Sequence, residues 1–152
     1  MGPMVLVGNQ DLDLALAAAG IAATAAVGPL HNLKADLCQT SMTIDRNTDL
    51  AALEAGVATF GGYVQGTVTW DAPSLSDDGN IEVVGTMPVW RPTDTTVPNV
   101  IYSIYFTEAV GGLLMFCASF DNGPLPMNDT LDQIMCVIRW RPQTGGLVVQ
   151  VV

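Results

Sequence analysis

The side chains with chemical potential in this chain are few and scattered. The one histidine, His31, has no serine or cysteine beside it, so a nucleophile–base pair could arise only through the fold. A lone histidine of this kind is ordinarily structural. Three cysteines, Cys38, Cys117 and Cys136, form no CxxC pair, and the odd count argues against a disulfide framework or a zinc site. Thiols so spaced pack as small apolar groups. The carboxylate pairs Asp77–Asp78 and Asp129–Asp132 fall in or beside turns, where Asp serves backbone hydrogen bonding. "DDGN" at 77–80 and "DNG" at 121–123 could offer oxygens to a hard cation, but neither matches an EF-hand loop. No Walker loop, dinucleotide fingerprint, HExxH or nucleophile elbow occurs. The expectation is a protein with no catalytic residue, no cofactor and no metal. Trp70, Trp90 and Trp140, with three tyrosines, could stack on a sugar ring, although buried Trp is commoner in a sandwich.

Charge narrows the partners. The 152-residue chain carries a net charge of −10, and its cations are only Lys34, Arg46, Arg91, Arg139 and Arg141. Phosphate backbones and anionic membranes are held by clustered Lys and Arg, so neither nucleic acid nor membrane is an expected partner. Charged residues make up 13% of the chain and hydrophobic ones 49%, against about a quarter charged in typical globular proteins. A surface so poor in charge suits burial against partners.

The elements that must carry these residues divide into two texts. Residues 1–29 include the uncharged run "LALAAAGIAATAAVGPL" at 14–30, with Asp11 and Asp13 just before it. A signal peptide needs basic residues at that place, and a stretch dominated by Ala, Gly and Thr is too weakly apolar to span a bilayer. The segment reads as a helix starting near Asp11, or as an extended arm reaching a neighbouring subunit. Its apolar side chains Leu12, Leu14, Leu16, Ile21 and Val27 are candidate interface residues.

Residues 30–152 read as one β-sandwich domain. "HNLKADL" opens it, and "TDLAALEAG" is a short helix with Thr48 as N-cap and Gly56 as stop. "YVQGTVTW" alternates with period two, placing Val64, Val68 and Trp70 on one face. "IEVVGTMPVW", "VIYSIYF", "LLMFCASF", "IMCVIRW" and "GLVVQVV" are further strands, separated by Asp-, Asn-, Gly- and Pro-rich turns. The fold class is mainly β: an antiparallel β-sandwich or jelly roll with one short helix and an Ala-rich N-terminal arm or helix. A hairpin centred near Leu125–Met127 would set Cys117 opposite Cys136 and make a cross-strand disulfide geometrically open, although reduced thiols are the expectation. "WRP" occurs at 90–92 and at 140–142, too short an echo for a duplication.

The later strands are apolar on both faces. In "NVIYSIYF", Val100, Tyr102, Ile104 and Phe106 alternate with Ile101 and Tyr105. An antiparallel sheet normally leaves one face to water, so a second apolar face needs a second cover. Self-packing and oligomerisation both provide one; the reading adopted is oligomerisation, with Ile101 and Tyr105 as candidate interface residues.

The order "LHNLKADL", "LAALEAG", "FGGYVQGTVTW", "VIYSIYF" and "LLMFCASFDNGPLPMNDTL" resembles a family of small tailed-phage virion structural proteins. The resemblance runs over about residues 30 to 140 through Leu30, Leu33, Glu54, Phe60, Gly62, Tyr63, Trp70, Tyr102, Phe120 and Leu131. It departs at "CQTSMTIDRNT", where the family often has "TPT", and omits the Ala-rich extension. It implies a virion component made in the host cytoplasm and leaves head or tail open. A capsid decoration or cement protein on the outer head surface, a homotrimer bound to the major capsid protein, is the first expectation. A tail or fibre module binding a host-surface glycan is the alternative.

Overall fold

A computed structural model describes residues 3–5, 7–8, 32–72, 74–75, 77, 79, 81–95, 99–120, 123–141 and 146–151. The thirteen strands among them are β1 (Pro3–Val5), β2 (Val7–Gly8), β3 (Leu33–Cys38), β4 (Gly66–Thr67), β5 (Thr69–Trp70), β6 (Ser74–Leu75), β7 (Ile81–Thr86), β8 (Asn99–Ile101), β9 (Ser103–Glu108), β10 (Leu114–Ser119), β11 (Leu125–Met127), β12 (Cys136–Arg141) and β13 (Gly146–Val151). Among the described residues there is one helix, α1, at Leu50–Ala55. The chain is mainly β, and every strand pairing is antiparallel.

The strands form two principal sheets. The first has the order β1-β13-β12-β7-β5, with β6 also on β7; the second has the order β2-β10-β9-β3-β4. A two-stranded ribbon, β8 with β11, accompanies them. Alternation points Leu33, Ala35, Leu37, Ile104 and Phe106 of the second sheet at Val149 and Ile138 of the first, and these side chains make one continuous core. This is the sandwich the sequence predicts.

Two short segments pass from one sheet to the other. Gly66 and Thr67 pair with Ala35 and Lys34, then Thr69 and Trp70 pair with Thr86 and Gly85. Val68, the residue between, is buried and donates its N–H to Leu33 O at 3.0 Å. The alternating run "YVQGTVTW" is therefore two short strands at a corner, and Val64 lies outside both and is exposed. Gly85 makes the corner fit: a Cβ there would meet Trp70 Cζ3 and Val68 Cγ1, each at 2.8 Å. On the opposite edge, β1 pairs with β13 and β2 pairs with β10. The first residues thus belong to the sheets, so the expected boundary at 29/30 does not separate them from the domain. Each crossing segment supplies backbone partners to an edge strand in both sheets.

Three local expectations are corrected. First, "LLMFCASF" and "IMCVIRW" do not form a hairpin. β10 pairs with β9 across the 109–113 turn, and β12 lies in the other sheet between β7 and β13. Cys117 and Cys136 therefore sit on different sheets, and all three cysteines are free thiols. Second, "VIYSIYF" is broken at Tyr102, whose N–H goes to Cys38 O at 2.9 Å. Third, the helix begins one residue later than expected. Asp49 accepts from Ala51 N as N-cap, Thr48 Oγ1 accepts from Asp45 N, and Gly56 closes the helix through Leu53 O and Glu54 O.

Candidate interface surfaces

The break at Tyr102 changes how the two described interface candidates lie. Strict alternation would put Ile101 and Tyr105 on one face. Instead Ile101 is fully buried in the main core, while Tyr105 points to the opposite side of the second sheet. Tyr105 is also buried, because that outer face has its own cover. Cys38, Tyr105, Leu114 and Cys117 pack with Leu53 of α1, and Met42, Ile44 and Leu50 close over them. The second apolar face of this sheet is thus satisfied within one chain, by the segment "SMTIDRNTDLAALEA" that crosses it. Burying Leu53 completely contributes about 1.5–3 kcal/mol, a strong fixing force for a six-residue helix that could not persist alone. The self-packing alternative accounts for this face without a partner. Leu12, Leu14, Leu16, Ile21 and Val27 lie outside the described residues.

The same outer face holds the most elaborate polar arrangement in the described chain. Asp36 is 6% exposed and stands opposite Tyr105 in the β3–β9 ladder. Its carboxylate accepts from Tyr63 OH at 2.5 Å and from Gln65 Nε2 at 2.6 Å. Tyr63 OH accepts in turn from Leu37 N at 2.9 Å, and Leu37 O accepts from Ala58 N at 2.8 Å. β4 reaches only Lys34 and Ala35, so beyond it the Tyr63 hydroxyl stands where the next strand's carbonyl would be. Burial, then the Asp36 carboxylate, raises the Tyr63 hydroxyl far above its ordinary range. Tyr105 is raised for the same two reasons, burial first.

The buried thiols of Cys117 and Cys136 are held in their protonated form. Burial pushes the Cys117 thiol up to about 11 and the Cys136 thiol up to about 12, so neither offers a thiolate nucleophile near neutrality. Cys38 Sγ, also buried, lies 3.6 Å from Thr40 O. The carboxylates of the 129–132 turn do turn work: Asp132 Oδ2 accepts from Asn128 N and Asp129 N, and Asp129 Oδ1 accepts from Leu131 N. Among the described residues, no group of three or more His, Cys, Asp or Glu is arranged to hold a metal ion. Ser103 Oγ is the one buried side-chain oxygen or nitrogen among them that lacks a hydrogen-bond partner.

The tryptophans separate into two environments. Trp90 is buried in the main core, donates Nε1–H to Val64 O at 2.9 Å and bridges Ile134 through two backbone hydrogen bonds. It presents no face to a sugar. Trp70 and Trp140 are half-buried and pack on the core from the first sheet. Arg91 reaches Gln133 Oε1, and Arg139 pairs with the buried Glu82 at 2.7 Å while reaching Gln150 at 3.3 Å.

Exposed apolar side chains gather at loops and turns of the sandwich. One end is built from the strand ends at Gln39 and Ser103 and the loops joined to them. There Thr93 N donates to Gly61 O, Trp90 holds Val64 O and Arg91 holds Gln133. Val64, Val89 and Leu131 are exposed on these loops, Leu131 at 87%. Away from these loops, exposed apolar side chains lie on the β6–β7 hairpin and in the 109–113 turn. Leu75 pairs with Ile81 in the hairpin, and both are exposed, as are Val110 and Leu113 in the turn. Val64, Ile81, Val89 and Leu113 fall in runs that the period-two pattern assigns to strands, and only the arrangement of the strands leaves them exposed. No family model, curated protein or solved structure matches this chain.

Proposed function

We propose that this protein is a bacteriophage virion structural protein, a capsid decoration or cement protein that stabilises the head shell by burying apolar surface at subunit junctions. The observation that carries the reading is the contrast between inside and outside. The thiols, the Asp36–Tyr63 pair and Tyr105 are sequestered, while Val64, Leu75, Val110 and Leu131 stand exposed on a chain with only five basic side chains. Removing such side chains from water at a junction yields about 25 cal/mol per Å² before the costs of association. The resemblance of residues 30–140 to small tailed-phage structural proteins supports the same reading, as does the −10 charge, which suits a basic patch on a major capsid protein.

The alternative, a tail or fibre module stacking a host glycan, retains Trp70 and Trp140 but loses Trp90 to the core. Copy number separates the two. Quantitative mass spectrometry of purified particles is expected to give this protein at a ratio approaching one to the major shell protein. A ratio of a few per cent moves it to the tail, and absence from particles removes the virion reading altogether.

A further inference from the structure

The N-terminal strands are the feature that the fold uses but does not require to come from the same chain. Pro3–Val5 supplies the outer partner of β13, with Met4 opposite Val149 and Val5 opposite Val148. Val7–Gly8 supplies the outer partner of β10, with Val7 opposite Cys117 and Gly8 opposite Phe116. Without them "GLVVQV" and "LMFCAS" would be uncharged edge strands, open to any extended segment. The donor stretch 3–8, "PMVLVG", is itself uncharged and carries none of the charged residues that keep an edge from pairing elsewhere.

Donor and acceptor lie far apart in the sequence. Residues 9–31 separate Gly8 from Asn32, and 23 residues span at most about 75 Å, against a domain diameter of about 40 Å for a chain of this length. Gly8 and Asn32, the described residues on either side of this stretch, lie toward the same end of the second sheet. From Pro3 to Gly8 the chain runs toward the β10 start at Leu114, and Asn32 accepts from Ala109 N at 2.7 Å in the adjoining turn. Val110 and Leu113 are exposed in that same turn.

We propose that the paired edges of β13 and β10 are a strand-acceptor site for residues 3–8 of a second copy of this chain, so that copies associate by exchanging their N-terminal strands. Each copy carries one donor and one acceptor, a head-to-tail arrangement that closes into a ring when the rotation permits. The exchanged strand makes the same backbone hydrogen bonds as its own-chain counterpart. A neighbour held there covers Val110 and Leu113, which a lone copy leaves in water, and that burial favours association. The exchange stands independently of the virion reading, because it is tested on the purified chain and the other on particles.

The test uses Val5→Cys with Val148→Cys, register partners whose Cα spacing of about 4.5–5.5 Å suits a disulfide. Isotope-labelled and unlabelled chains are unfolded together and refolded at about 1 mM, near the effective concentration of a strand joined to its own domain. After oxidation, the peptides joined through positions 5 and 148 are weighed by mass spectrometry, with the single Val5→Cys variant as control. Exchange predicts mixed-isotope pairs in the oligomer fraction, and loss of that fraction when residues 1–8 are deleted from the parent chain. Same-isotope pairs alone overturn the proposal, since each strand is then held by its own chain. Absence of any 5–148 pair overturns it as well, because the acceptor register is then not used.

Discussion

Tyrosine 63 offers a direct test of how the second sheet is held. Tyr63→Phe removes one oxygen and leaves the ring in place against Phe60, its edge-to-face partner at 5.3 Å. Two bonds go with the oxygen: the 2.5 Å bond donated to the buried Asp36 carboxylate and the 2.9 Å bond accepted from Leu37 N. A hydrogen bond to a charged group contributes about 1.5–3 kcal/mol, and the Leu37 N–H left without its acceptor adds a desolvation cost. Gln65 still donates to Asp36, which moderates the loss. The expected cost is about 2–3 kcal/mol. With a urea m-value of about 2 kcal/mol/M, the unfolding midpoint falls by roughly 1–1.5 M with the slope unchanged. Asp36→Asn and the double variant complete a cycle, and the coupling between the two positions is expected at about 1 kcal/mol or more. A Tyr63→Phe variant within 0.5 kcal/mol of the parent, or a coupling indistinguishable from zero, would refute the claim that this hydroxyl completes the edge of β3.

Further expectations follow from the same packing. Ser103→Ala removes the buried hydroxyl that has no partner and should leave stability unchanged or raise it by up to about 1 kcal/mol, read as the urea midpoint. Leu53→Ala opens the cover over Cys117 and should cost about 2–5 kcal/mol while making a thiol reactive to a colorimetric disulfide reagent under native conditions, where the parent reacts only on unfolding. Gly85→Ala forces a Cβ to within 2.8 Å of Trp70 and Val68 and should cost about 1–3 kcal/mol in thermal or urea unfolding. Stability should also fall at alkaline pH. Cys117, Cys136, Tyr63 and Tyr105 all have folded values above their unfolded ones, so the unfolded chain releases protons first as pH rises. Their stabilisation is intact below about pH 8, where the unfolded thiols begin to ionise, and is progressively lost above it. A urea midpoint that stays level from pH 8 to pH 11 would contradict this, and Cys136→Ala should flatten the decline.

Much of the strand content is legible in the chain itself, since alternation and turn chemistry are local properties. "LKADLC", "IEVVGT" and "GLVVQV" become strands because β-branched and apolar residues recur at the period of a pleated ribbon between Gly, Pro and Asn. The short helix is equally local, set by Asp49 and Gly56 at its ends. The silence of the chemical inventory is local too: one histidine and three unpaired cysteines restrict the reactions open to the chain before any fold is considered. What covers an apolar face is a different matter. Tyr105 and Cys117 need a neighbour, and sequence cannot tell whether it is another subunit or the residues 42–55 that lie across them. Strand partners are likewise decided at a distance. β10 turns back to β9 through the short 109–113 connection, while β12, separated from β10 by residues 120–135, joins the opposite sheet and shares its core. Ile101 and Tyr105 part company because a single backbone bond from Tyr102 to Cys38 interrupts the alternation that links them. Period and turns are written residue by residue, whereas the choice of which apolar faces meet belongs to the whole chain, where burial is won jointly by segments far apart in sequence.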